Sequence, residues 1–290
     1  MRIMLTGSTG FVGSRVLHHM QQEGHLVSVV PSEMLKGEIT NERFNSLVFF
    51  AERKAPEVII HMAAISSTAY SEKHPEESYI ANVQLPQVMA RLANINKCKL
   101  ISCSSDQVYN GCTEKGAHKE DEKLDPINVY GRHKLETEGL VLDICPSAVL
   151  LRLTWMYDMP NYQTNTNNNF LIGLLKNAMV GKSSKYSTCD YRGLTYVHSV
   201  AEHLSETFNL AGGVYNYGSE NEKNMYELSC EFMTAMGMGG RIEELIGASD
   251  STQLRNLCMD CSKIRKSGIK FERSVDGVVK LFSDYPVLFN

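Results

Sequence analysis

Tyr130 and Lys134 stand four residues apart in the run Asn128-Val129-Tyr130-Gly131-Arg132-His133-Lys134, so on a helix they share one face, a turn apart. A phenol titrates near pH 10 and exchanges protons poorly at neutrality, whereas a neighbouring ammonium stabilises the phenolate and lowers that value. Such a pair can pass a proton to a carbonyl oxygen as it becomes an alkoxide, and the lysine can also hydrogen-bond a sugar hydroxyl. Tyr–Lys at this spacing is equally an ordinary surface pair, so it gains meaning only from its neighbours. One neighbour is Cys103-Ser104-Ser105-Asp106, which follows an apolar run at 99–103 and offers a hydroxyl able to polarise a carbonyl.

A further signal opens the chain. Residues 5–13 read L-T-G-S-T-G-F-V-G, with Gly7, Gly10 and Gly13 at intervals of three between an apolar run and an amphipathic one. Gly7 allows the tight turn, Gly10 lets the backbone approach a pyrophosphate, and Gly13 lets the helix pack on the strand. The helix start then offers unpaired N–H groups to the anion. This pattern predicts a dinucleotide site. An acid at the tip of the second strand would mark NAD, but that strand ends Val29-Val30-Pro31-Ser32, with Glu33 and Lys36 beyond it. The missing acid tilts the expectation from NAD(H) toward NADP(H), although no arginine at the tip completes the argument. Arg255 is a candidate partner for a diphosphate, or else one half of a surface ion pair.

These residues need a scaffold, and the first 150 or so supply one. Strands are predicted at 2–6, 26–30, 58–61, 99–103 and 148–153, alternating with helices at 13–23, 41–54, 77–94 and 128–142. Strands apolar on both faces between helices imply a parallel sheet covered on both sides, Rossmann-type and doubly wound, with ligands at its carboxyl end. Beyond about residue 155 the rhythm breaks. The polar stretch 161–169, with five asparagines, reads as a mobile loop, and helical patterns follow at 170–179, 199–210 and 225–236. The expected organisation is a dinucleotide-binding domain at 1–155 and a smaller α/β substrate lobe at 156–290, with segments returning to the first domain.

Composition narrows the field. Of 290 residues 43 % are hydrophobic, enough for a large core, and 29 basic against 33 acidic residues give a net charge of −4. Slight acidity argues against a nucleic-acid groove, and no stretch approaches 18 uncharged apolar residues, so no membrane span is expected. The N-terminus runs straight into the glycine motif without a signal-peptide core, so the expectation is a soluble, cytoplasmic protein. Eight cysteines read as reduced and structural; Cys258 and Cys261 form a C-x-x-C with no second pair at ligand spacing, and no metal site is expected.

Together these pieces resemble the extended short-chain dehydrogenase/reductase family: T-G-S-T-G-F-V-G (6–13), I-I-H-M-A-A (59–64), S-C-S-S-D-Q-V-Y-N-G (102–111) and P-I-N-V-Y-G-R-H-K (126–134). Within it the chain looks most like the dTDP-4-dehydrorhamnose reductase group, through L-R-L-T-W-M-Y (151–157), N-N-F (168–170), R-G-L-T-Y-V (192–197) and R-N-L-C-M-D-C-S-K (255–263). The resemblance implies Ser105, Tyr130 and Lys134 as the catalytic set. It implies a cofactor site of Gly7, Thr9, Gly10, Phe11, Val12, Gly13, Ala63, Ala64, Asn82, Tyr130 and Lys134, with Glu38 and Ile39 near the adenine. For a nucleotide-sugar substrate it implies Ser105, Asp106, Trp155, Asn168 and Arg255, with Asn169 beside Asn168. A homodimer accords with the family. His61 is expected to be a satisfied strand-end residue.

The chain also departs from the group. Asp158 replaces a glycine after W-x-Y, and Gly193-Leu194 stands where the group has S-P. The leading expectation is NAD(P)H-dependent reduction of a nucleotide-linked 4-keto-6-deoxy sugar. Two rivals stay open: an epimerase or dehydratase that recycles tightly held NAD⁺, and a non-catalytic subunit that binds cofactor and docks onto another enzyme.

Overall fold

Short runs rich in Val, Ile and Leu form the strands, and polar side chains close the helices that follow. The computed structural model describes residues 1–160, 169–250 and 252–285. The first strands are β1 (Arg2–Thr6), β2 (Leu26–Val29), β3 (Val58–His61), β4 (Lys99–Ser105) and β5 (Val149–Leu153). Then come β6 (Trp155–Tyr157), β7 (Ser184–Ser187), β8 (Asp190–Arg192), β9 (Leu194–Tyr196), β10 (Gly213–Tyr217), β11 (Ile246–Ser249) and β12 (Arg255–Leu257).

Six of them make one parallel sheet in the order β10-β5-β4-β3-β1-β2. Because β2 lies on one side of β1 and β3 on the other, the chain reverses direction across the sheet between β1 and β3, and a crevice opens there at the carboxyl ends. Side-chain alternation sends Ile3 and Leu5 to one apolar layer with Val16, Met20 and Val200, and Met4 to the other with Leu47, Met89 and Val141. The sheet is therefore covered on both faces, as expected of a doubly wound fold. A third cluster, around Tyr157, Phe170, Tyr196 and Phe232, belongs to later segments, where the pairs β6–β9, β7–β11 and β8–β12 lie. β10 comes back from these segments to pair with β5.

Element boundaries shift by one or two residues for local reasons. The first helix begins earlier than expected, at Phe11–Gln22, because Gly10 ends the turn and starts it. β4 runs on to Ser105, so Ser104 and Ser105 sit on the strand end rather than in a loop. The helix expected at 77–94 is three pieces, Pro75–Tyr79, a π-turn Ile80–Gln84 and Leu85–Asn96. At that π-turn the Asn82 carbonyl accepts from Thr137 Oγ1 at 2.5 Å. The pattern at 199–210 is a helix Val197–Glu202 followed by a tight turn Ser205–Asn209. Asn128, Asn169 and Asn224 cap the helices Val129–Ile144, Phe170–Met179 and Met225–Ala235, the last in a reciprocal box with Glu227. Of the polar segment expected at 161–169, residues 161–168 lie outside the described residues, and Asn169 caps the helix that follows. No helix of the described residues is long and apolar enough to cross a membrane.

One buried ion pair fixes the helix Val129–Ile144 to the sheet. Arg152 on β5 donates to both carboxylate oxygens of Glu138, at 2.9 and 2.6 Å, while Ser104 Oγ donates to the same carboxylate at 2.5 Å. Arg152 Nη1 continues to the Tyr109 hydroxyl at 2.7 Å. Removing one member of such a pair strands the other charge in the core. Arg152→Ala is expected to cost about 3–5 kcal/mol, read as a lower urea midpoint. Arg273→Ala, which breaks an exposed pair with Asp276, is expected to leave that midpoint where it was.

Candidate active site

The crevice between β1 and β3 opens into a cleft of about 610 Å³. Its floor is built first by glycine. Gly7 has φ +73°, and a Cβ on Gly13 would stand 2.0 Å from the Gly7 carbonyl oxygen, so the helix Phe11–Gln22 starts directly against the strand it follows. No side chain caps that helix, and Gly10, Phe11, Val12 and Gly13 line the cleft. The first-turn amides of an uncapped helix are a ready anion site. A cradle that any side chain would fill, at a bare helix start, fits the pyrophosphate of a dinucleotide.

Opposite this turn stand the three residues singled out for chemistry. Ser105 ends β4, and Tyr130 and Lys134 lie on the first turns of the Val129–Ile144 helix; all three line the cleft although each is largely buried. Gly131 makes this possible, because a Cβ there would stand 2.4 Å from the Gln107 carbonyl oxygen of the next turn. Lys134 Nζ donates to the Cys103 carbonyl at 2.9 Å and lies 5.7 Å from the Tyr130 ring centroid. Burial lowers the Lys134 ammonium to about 8, against the opposing pull of Cys103 and Glu138. Burial also raises the Tyr130 phenol well above its ordinary value, with Ser105 beside it working the other way and Asp106 adding to the rise. Among these residues the phenol is a proton donor held protonated, and the lysine is the group that titrates near neutrality.

The far wall carries two guanidinium groups, each paired with a carboxylate. Arg192 Nη2 donates to Asp106 Oδ2 at 2.8 Å, and its guanidinium lies 4.8 Å over the Trp155 ring. Arg192 Nε is buried without a hydrogen-bond partner among the described residues. Arg255 pairs with Asp190 at 3.0 Å across the β8–β12 register and still lines the cleft, so the ion pair and the site coincide. Trp155 is 37 % exposed, which places it on the cleft wall rather than at the centre of a core. Asp106, nearly fully buried, is held by Arg192, Ser105 and Gln107.

Several expected residues sit elsewhere. Asn82 is fully buried, and its side chain is spent on both backbone groups of Ile65 and on Ser78, so it shapes the loop after β3 instead of facing the cleft. Ala64 of that loop lines the cleft; Ala63 packs against the core and contacts the Gly7 turn from below. Thr9 is on the exposed part of the glycine turn. Glu38 is exposed, and Ile39 packs into the core layer of Met34 and Leu35, so neither reaches the cleft wall. Asn168 lies outside the described residues, whereas Asn169 lines the cleft. His61 is satisfied on one side only: Nδ1 meets Thr6 Oγ1 at 2.7 Å, Nε2 has no partner among the described residues, and burial holds the ring neutral down to about 3. Cys258 and Cys261 are free, buried thiols whose ionisation burial pushes up, and among the described residues no cluster of His, Cys, Asp and Glu suits a metal. Arg192 and Gln107 escaped the sequence reading. The signal was an arginine alternating with Asp190 on a three-residue strand, too short for periodicity to register.

The chain is 27 % identical over 289 residues to methionine adenosyltransferase 2 subunit beta of Xenopus laevis, covering 92 % of this chain and 83 % of that one. It is 24 % identical over 283 residues to dTDP-4-dehydrorhamnose reductase of Aggregatibacter actinomycetemcomitans, covering 92 % of both. The solved dTDP-4-dehydrorhamnose reductase of Bacillus anthracis, in complex with NADP, shares the fold with a TM-score of 0.82 at 19 % identity, over 98 % of this chain and 99 % of that one. The family described as RmlD substrate binding domain matches residues 1–282, and the chain belongs to it.

Proposed function

We propose that this protein is an NAD(P)H-dependent reductase of a 4-keto-6-deoxy sugar carried on a nucleoside diphosphate. The observation that carries this reading is the convergence of Ser105, Tyr130 and Lys134 on one cleft with the glycine turn on its floor. Gly10 and the amides of the first turn would hold the pyrophosphate, and Lys134 the ribose of the nicotinamide half. When bound, the reduced nicotinamide supplies the hydride. Ser105 Oγ orients and polarises the keto oxygen, Tyr130 delivers its proton there as negative charge develops, and the Lys134 ammonium compensates the phenolate left behind. Arg192 and Arg255, each paired with an aspartate, supply guanidinium donors on the far wall for a diphosphate, and Trp155 offers a flat apolar face to a sugar ring.

The lean is to NADP(H). The tip of β2 carries no acid, and the Arg43 guanidinium lies against Gly37 in the loop that follows, with Nη1 lacking a hydrogen-bond partner among the described residues. A dehydratase would call for a second acid beside Asp106, and Gln107 stands there. The likeness to a methionine adenosyltransferase subunit over 92 % of the chain favours a second reading, a dinucleotide-binding subunit of another enzyme. The complete proton-donating set argues for turnover.

Loss of NADPH and NADH absorbance with dTDP-4-keto-6-deoxy sugars tests the first reading. Turnover is expected, and Tyr130→Phe should lower kcat roughly 10²–10⁴-fold; dinucleotide binding without turnover favours the subunit reading. Arg43→Ala is expected to raise KM for NADPH at least about tenfold, the scale of one charge-assisted contact, while KM for NADH stays put. The pH profile follows from Lys134. Because burial lowers its free-enzyme value to about 8, the ammonium is complete below that pH and lost above it. Accordingly kcat/KM for the cofactor should fall as pH rises through about 8, and Lys134→Arg, which stays charged, should remove that limb.

A further inference from the structure

Asp158 stands where the resemblance expects a glycine, and the structure gives it a buried cation. Its Oδ2 accepts from Arg15 Nε at 2.9 Å and from Nη2 at 2.6 Å, and the two side chains are 0 % and 1 % exposed. Arg15 lies two residues past Gly13 on the helix that begins at the glycine turn. Its Nη1 donates to the Phe11 carbonyl at 3.1 Å, and its guanidinium lies 4.8 Å over the Phe11 ring. Phe11 itself lines the cleft on the dinucleotide side.

The other end of the pair belongs to the opposite wall. Asp158 directly follows β6, which carries Trp155, and its carbonyl accepts from Asn169 Nδ2 at 3.0 Å. Trp155 and Asn169 both line the cleft. The remaining oxygen, Oδ1, accepts from the Met159 amide at 2.8 Å and the Tyr285 hydroxyl at 3.2 Å, and His198 Nε2 stands 3.5 Å from Oδ2. Asp158 is thus tied down on every side, and a two-donor contact from Arg15 resists sliding of one wall past the other. Away from water neither charge can drop its partner cheaply, so the link is either made or broken.

We propose that the Arg15–Asp158 pair couples the two halves of the cleft, so that a dinucleotide on the glycine turn orders the wall of Trp155 and Asn169 that receives the substrate. The inference rests on the dinucleotide reading above. Arg15 and Asp158 act here as positioning residues: Arg15 holds Phe11, Asp158 holds Asn169, and the ion pair joins them. By linkage the coupling is reciprocal, so an occupied substrate wall tightens the turn by the same factor.

Hydrogen exchange with and without saturating NADP⁺ or NAD⁺ tests it, with calorimetry giving the affinity. In the wild type, protection is expected at 7–13 and also at 155–159 and 170–179, at least about fivefold in each, the lower end of ordinary coupling. Asp158→Asn should keep the protection at 7–13, with affinity within about threefold, and lose it at the other two segments. Arg15→Met/Asp158→Leu, which replaces the pair by apolar side chains and keeps the core filled, should behave the same way. If protection at 155–159 and 170–179 survives in either folded variant, or is absent in the wild type although 7–13 is protected, the coupling is overturned. Absence of protection at 7–13 in the wild type instead overturns the dinucleotide reading itself.

Discussion

Everything placed on the helix Val129–Ile144 depends on the carboxylate of Glu138. That helix carries Tyr130 and Lys134 on the same face as Glu138, at steps of four, and Glu138 is clamped by both donors of Arg152 and by Ser104. Ser104 immediately precedes Ser105, and Arg152 lies on the neighbouring strand. A single buried ion pair therefore sets the height of the phenol and the ammonium over the serine hydroxyl. It also bears on why a lysine can be kept inside: the ammonium donates to the Cys103 carbonyl and has the Glu138 carboxylate one turn away, which opposes but does not cancel its desolvation.

The layered sheet and its crevice were legible in the sequence because their causes are local. Apolar runs bounded by turn residues gave five strands of the parallel sheet, and glycines at 7, 10 and 13 announced a turn where side chains at 7 and 13 would strike backbone. Tyr130, Lys134 and Ser105 were legible as types and spacings. Their convergence was not, since it needs β4 to run two residues further than its apolar pattern and Gly131 to let the helix touch the 106–109 turn.

What the sequence left out depends on pairings between distant segments. Arg192 gains its role from Asp106 and Trp155, 86 and 37 positions away, and no periodicity on a three-residue strand betrays it. Asn82 reads as a helical asparagine near a cofactor, yet the π-turn directs its side chain onto the Ile65 backbone, a geometry that only the surrounding helices decide. Asp158 looked like a departure from a pattern until the fold set it against Arg15.

The return of β10 to the sheet has a consequence for how the molecule comes to exist. β5 has β4 on one side from early in synthesis, but its other neighbour begins only at Gly213, some sixty residues on. Until then an apolar, fully buried strand presents a bare edge of N–H and C=O groups, the condition in which strands recruit foreign partners. The sheet thus gains its last strand late, and until then a nascent chain emerging from the ribosome exposes the β5 edge that its own distal half later covers.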